Sequence, residues 1–249
     1  MSSAATAARA RILPHGPLDL IRQLAIWFGF LFAYRYTRGV ADRDAFQAFQ
    51  NGLRVADFEH RITGLWELSL QSFVASSNVL REATSLTYWH SQFTVLGLVL
   101  LWVYLRRNDH FVPLRNTILL ANVLGLLGYV FIPTAPPRFF TSIGFSDTLG
   151  QFGGLNHGSG LVELASNPYA AMPSLHAADA LIVGVVLASV VRRPVFKVLW
   201  LLWPAWVWFA VMATGNHFWL DVLAGIVLAL ITMAILYRDR VQGFIARLL

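Results

Sequence analysis

Apolar residues run almost unbroken through six stretches of the chain, 18–36, 86–105, 113–133, 174–191, 195–213 and 217–237. A helix that crosses a bilayer takes about 20 mostly apolar residues, and each stretch is near that length. They predict six transmembrane helices in one membrane-embedded domain, 18–237. Residues 37–85 break the pattern. Five arginines there alternate with six Asp and Glu, while Phe46, Phe49 and Leu53, and later Leu65, Leu68 and Val74, recur at helical spacing. This reads as one or two amphipathic helices at about 40–80, lying at the membrane interface. A short seventh crossing at 64–80 is the alternative, against the charge of Glu67 and the amide of Gln71.

Composition reinforces the class. Of 249 residues, 57% are hydrophobic and 13% charged, against about 25% charged in a soluble domain. The fold class is therefore an all-α, multi-pass membrane helix bundle. The absence of cysteine excludes disulfides and thiolate metal ligands. The net charge of +6 raises nucleic acid as a partner, but the positions of the cations argue for topology instead. Arg106, Arg107 and Arg115, the "RRPVFK" stretch at 192–197 and the 238–249 tail fall on one side of an alternating six-span scheme. The 1–17 tail carries Arg9 and Arg11 on that side too. Lys and Arg mark cytoplasmic segments. Both termini are thus expected in the cytoplasm, with the 134–173 loop outside a plasma membrane and the basic segments near anionic lipid.

The candidate chemistry lies at the outer ends of the spans. In "NPYAAMPSLH" (167–176), Pro173 and Ser174 signal a helix start and put His176 in the first turn of the fourth span. In "TGNHFWLD" (214–221), His217 is expected to open the sixth span, with Asp221 at i+4 on the same face. Two imidazoles thus reach one membrane depth on one side. That suits phosphoryl transfer through a phosphohistidine: one imidazole attacks, a carboxylate steadies its charge, and the other imidazole moves the leaving-group proton. Arg138, in "PTAPPRFF", can grip two phosphate oxygens, and the amides around Ser174 and Leu175 offer the positive end of a helix. The same two His and Asp could instead ligate zinc, and "NHGSG" (156–160) could carry a nucleophilic serine.

"PTAPPRF", "NPYAAMPSLH" and "ATGNHFWLDVLAG", in this order, resemble the signatures of the type 2 phosphatidic acid phosphatase superfamily. They are most similar to its inositol phosphorylceramide synthase-like branch, over roughly 85–237. The resemblance implies a metal-independent lipid phosphatase or phosphotransferase that needs no cofactor. It implies His217 as nucleophile, Asp221 as its orienter, His176 as general acid, and Arg138 and Ser174 as phosphate ligands. Phe131 stands where the first signature usually has Lys, Phe139 follows Arg138 in place of Pro, and Ala210 and Val211 replace the usual Ser-Arg of the third. Arg115 belongs to the opposite membrane face.

Asp179, one turn below His176, is a candidate to tune it, since carboxylates within a membrane span are costly. His157, Asp147, Asn167 and His90 are candidates to read the substrate's headgroup. The expected substrate is a lipid phosphate or phospholipid, with water or a polyol such as inositol as acceptor. The competing reading is a non-catalytic protein that binds or transports anionic lipid, or a zinc-dependent membrane hydrolase.

Overall fold

The structure is a computed structural model that describes residues 13–41, 44–149 and 169–237. Nine helices of eight residues or more occur among them: α1 (Gly16–Ala41), α2 (Ala45–Thr63), α3 (Glu67–Ala75), α4 (Asn78–His90), α5 (Leu96–Arg106), α6 (Asn108–Phe131), α7 (Leu175–Val190), α8 (Pro194–Ala213) and α9 (Trp219–Leu236). A π-turn, Ser91–Val95, joins α4 to α5, so the two run as one 29-residue rod, Asn78–Arg106. That rod, α6, α8 and α9 are long and apolar enough to cross a membrane. Their outward faces stay apolar: Leu98, Leu127, Leu199 and Leu230 are all exposed. An apolar surface this extensive belongs in lipid rather than water.

Of the six expected crossings, four are of this kind. α7 has 16 residues, about 24 Å of helix against roughly 30 Å of hydrocarbon. α1 has 26 residues and packs on α6. α3, with nine residues, is about 14 Å long, too short to be the seventh crossing. Two expected boundaries shift. The rod starts at Asn78 rather than 86, because the Ser77 hydroxyl accepts the Leu80 N–H and caps it. The expected loop at 106–112 is mostly helix: only Arg107 separates α5 from α6, and Pro113 sits inside α6 with the Thr117 hydroxyl donating to its carbonyl at 2.8 Å.

α7 is the central helix. It packs against α6, α8 and α9, and Leu175, Ala178, Ile182 and Val186 bury into a core with Leu114, Ile118 and Ala121 of α6. One close approach is decisive. A Cβ on Gly225 of α9 would stand 2.2 Å from the Ser174 carbonyl oxygen, so only glycine lets the starts of α7 and α9 touch. There the Ser174 N–H donates to the Asp221 carbonyl at 2.9 Å. A second core, with Ala48, Ala56, Phe140, Phe145 and Phe218, seats α2 against the site end of the bundle. α2 is amphipathic, but the buried side is not the expected apolar set: Ala48, Gly52, Ala56 and Glu59 form its buried stripe, while Phe46 and Leu53 are exposed.

Candidate active site

Three separate segments are stitched together to build the site. Thr134 N–H donates to the Tyr169 carbonyl at 2.9 Å, and Ala171 N–H donates to the Thr134 carbonyl at 3.1 Å. These bonds lay 133–138 beside 169–174. Arg138 N–H then donates to the Gly215 carbonyl at 2.8 Å, which ties in 214–218. Gly215 has φ +71°, and a Cβ there would crowd Gln71 Nε2 and the Ser146 oxygen, each at 3.0 Å; glycine meets both demands. The result is an open pocket at one end of the bundle, which includes His176, His217 and Arg138 in its lining.

His217 differs from expectation in one respect. It does not open a helix: α9 starts at Trp219, and His217 lies in the extended link before it. The reason is Asp221, whose Oδ2 accepts the Phe218 N–H at 2.9 Å and so caps the helix one residue beyond His217. The same oxygen stands 3.6 Å from His217 Nδ1. The nearer partner of Nδ1 is the Ala171 carbonyl, at 3.0 Å. A carbonyl only accepts, so Nδ1 carries the hydrogen and Nε2 the lone pair.

His176 does fall in the first turn of α7. Its ring stacks on Tyr88 (centroids 4.6 Å apart, planes at 21°), and Nε2 stands 3.2 Å from the Tyr88 carbonyl. The two imidazole centroids are 5.8 Å apart. Arg138 is buried beside them; its Nη1 donates to Asn216 Oδ1 at 2.5 Å, and its guanidinium lies over the Phe139 ring at 5.0 Å. Ser174 is fully buried and caps α7, accepting the Ala177 N–H at 3.3 Å. It is not among the residues lining the pocket. Leu175 packs under Gly125 of α6.

The other candidates scatter. Asp179 faces α6, where Asn122 Nδ2 donates to both its oxygens at 3.0 and 3.3 Å; it does not reach the pocket lining. His90 is exposed, its Nδ1 3.1 Å from Thr94 Oγ1. Asp147 is half-buried in the loop after the 3-10 turns. His157 and Asn167 lie outside the described residues. Arg115 is remote, bonded to Gln23 and Asn116. No group of three His, Cys, Asp or Glu among the described residues is arranged to hold a metal ion.

Residues 53–235 match the family described as the PAP2 superfamily. The chain belongs to the PAP2 superfamily. No curated protein matches the sequence significantly. Among solved structures, the crystal structure of Aquifex aeolicus LpxE is similar in shape, with 21% sequence identity, covering 65% of this chain and 87% of that one, at a TM-score of 0.49.

Among the described residues, the pocket holds few cations. Phe131 is exposed away from it, and Ala210 and Val211 are buried in apolar packing. Of the described residues that line it, Arg138 is the one Lys or Arg, and beside the two histidines Tyr34, Tyr88, Gln92, Tyr129 and Asn216 supply polar groups. Sequence reading missed these tyrosines and Gln92. The available signal was weak, because they sit inside runs that read as membrane spans. Gln92 lies in the π-turn, a feature often found at functional sites.

Sequence reading also missed two acids that reach the site from behind. Glu59 and Glu67 are fully buried. Glu67 Oε1 accepts the Trp219 N–H at 3.0 Å, and Glu59 Oε1 accepts the Leu220 N–H at 2.8 Å. Burial, and then the charge of Glu67, push the Glu59 carboxyl up to about 9; the Leu220 N–H opposes this, and Asp221 adds to it.

Proposed function

We propose that this protein is a membrane lipid phosphatase or phosphotransferase that works through a phosphohistidine on His217. The observation that carries the reading is the environment of that imidazole. Its Nδ1–H is held by the Ala171 carbonyl with Asp221 3.6 Å away, which leaves Nε2 with the lone pair. Attack of Nε2 on phosphorus forms the N–P bond and makes the ring an imidazolium. The Asp221 carboxylate is placed to stabilise that charge. The Tyr88 carbonyl takes the Nε2–H of His176, so Nδ1 of His176 is the nitrogen that gives a proton to the leaving oxygen and later takes one from the acceptor. Arg138, steered by Asn216, grips the phosphate oxygens. No metal takes part. The active site faces the extracytoplasmic side of the plasma membrane, and the chain crosses six times with both basic ends inside.

The acceptor is water or a polyol such as inositol. The single guanidinium among the described lining residues favours transfer. One guanidinium with neutral tyrosine and amide donors suits a singly charged phosphodiester better than a doubly charged monoester.

The test is purified protein in detergent with a panel of lipid phosphates and phospholipids, with chelator present, with and without inositol, against His217→Ala. The reading expects product in chelator from wild type and none from His217→Ala, with the variant folded. Free phosphate alone makes the protein a phosphatase, and a phospho-inositol product makes it a transferase. Turnover by folded His217→Ala overturns the mechanism.

A further inference from the structure

The inward faces of α2 and α3 carry a feature that membrane anchoring does not explain. On α2 the charged residues Arg54, Asp57, His60 and Arg61 are exposed, as an interfacial helix requires, while Glu59 ends the buried stripe of Ala48, Gly52 and Ala56. On α3 the buried residues are Glu67, Gln71 and Val74. Burying a carboxyl is costly unless hydrogen bonds repay it. Here each carboxyl takes one backbone N–H at the start of α9, and Asp221 takes a third. The N–H groups of Phe218, Trp219 and Leu220 thus go in sequence to Asp221, Glu67 and Glu59. These three residues lie between His217 and Asp221 in the chain. Glu59 Oε2 and Glu67 Oε2 are buried and meet no donor among the described residues. The Glu67 side chain is within hydrogen-bonding reach of Glu59, so one proton between the two carboxyls would satisfy both.

We propose that Glu59 and Glu67 form a proton-sharing carboxyl pair that clamps the start of α9 and so positions the His217–Asp221 pair. Both are positioning residues; neither lines the pocket. The role rests on His217 being the nucleophile, as read above. The clamp fixes two of the four peptide units that connect His217 to Asp221, and a displacement of about 1 Å in such a pair costs about a hundredfold in rate. The proton matters because the charged neighbours are few. Among the described residues, Glu67 from α3 and Asp221 from α9 are the charged groups that act on Glu59, and the core that seats α2 beside them is apolar, with Phe140, Phe145 and Phe218. If Glu59 ionises, a further negative charge arises against Glu67 and Asp221, and the shared proton is lost.

The sign follows from the raised Glu59 carboxyl. The folded protein holds a proton that the unfolded chain gives up near pH 4.5, so stability is full below that pH and is lost as pH rises toward about 9. Glu59→Gln keeps an oxygen for the Leu220 N–H and an amide N–H for Glu67, and has no proton to lose.

The experiment compares wild type, Glu59→Gln and Glu59→Ala in detergent, by kcat and KM across pH 5 to 10 and by melting temperature across the same range. Wild type is expected to lose kcat and melting temperature at the alkaline end. Glu59→Gln is expected to keep neutral-pH kcat, to extend its alkaline limb and to flatten the melting profile. Glu59→Ala is expected to lose at least about tenfold in kcat with KM little changed. If a Glu59 variant does not fold, Glu67→Gln takes its place, with the same flattening expected. Identical alkaline limbs and melting profiles in wild type and the Gln variants overturn the proposal. A flattened melting profile in a protein that transfers no phosphoryl group upholds the proton-sharing clamp and overturns the function assigned to His217.

Discussion

Two helix starts face each other across this site, each delivering one histidine, and they are built in different ways. The side-chain cap of α7 is local, although the Ser174 N–H also donates to the Asp221 carbonyl. Ser174 accepts the N–H of Ala177, three residues on, and His176 follows inside the first turn. The start of α9 is assembled from a distance. Asp221 supplies one cap, but Glu59 and Glu67, each more than 150 residues earlier, supply the other two. His217 itself is held by the carbonyl of Ala171. The difference teaches that the two imidazoles have different mechanical demands. The proposed proton carrier sits on a helix capped by its own Ser174. The proposed nucleophile sits on a link whose geometry four separate segments enforce.

The strongest way to break that contrast is Asp221→Asn. The amide oxygen can still accept the Phe218 N–H, so the α9 start should hold, while the negative charge beside His217 is gone. kcat should fall by about a thousandfold or more, as for a neutralised orienting carboxylate, with melting close to wild type. Gly225→Val attacks both starts together by driving a side chain into the Ser174 carbonyl. It should cost about 1–3 kcal/mol or more of stability, read as a drop in melting temperature together with lost activity. Ser174→Ala touches only the local start and should cost about 1 kcal/mol, read by the same melt. Its KM should stay close to wild type, because Ser174 is buried behind the pocket; a large rise in KM would restore it as a phosphate ligand. The smallest effect is expected for Asp179→Asn, which tests whether the α7 carboxylate serves chemistry or only the contact with Asn122. An unchanged pH profile of kcat is the expected result.

Much of this was legible in the residues. The apolar runs marked the bundle, and Phe46, Phe49 and Leu53 at helical spacing among charges marked 45–63 as an amphipathic helix, though its buried side is the small-residue stripe of Ala48, Gly52 and Ala56. The strings around His176, His217 and Arg138 pointed to one site, and the structure brings those three together around one pocket. Other expectations did not carry over because periodicity cannot see partners. Asp179 is one turn from His176 in the chain, yet its side chain faces α6. Ser174 has a hydroxyl at the right place in the string but spends it on its own helix. Glu59 and Glu67 looked like surface charges among many, since nothing in their local spacing distinguishes them from Asp57 or Glu82.

What the sequence determined by itself is therefore what depends on near neighbours: the solvent each stretch prefers, the start of α7, and the presence of paired imidazoles with a carboxylate at i+4. Hydropathy, capping and helical periodicity all act within a few residues. The state of those groups was set by packing. The tautomer of His217, the grip of Asn216 on Arg138, and the buried acids behind α9 depend on contacts across 46 to 161 residues of chain. Such contacts exist only once the helices have packed, because a buried polar group takes its partner from whichever segment the fold brings within hydrogen-bond reach.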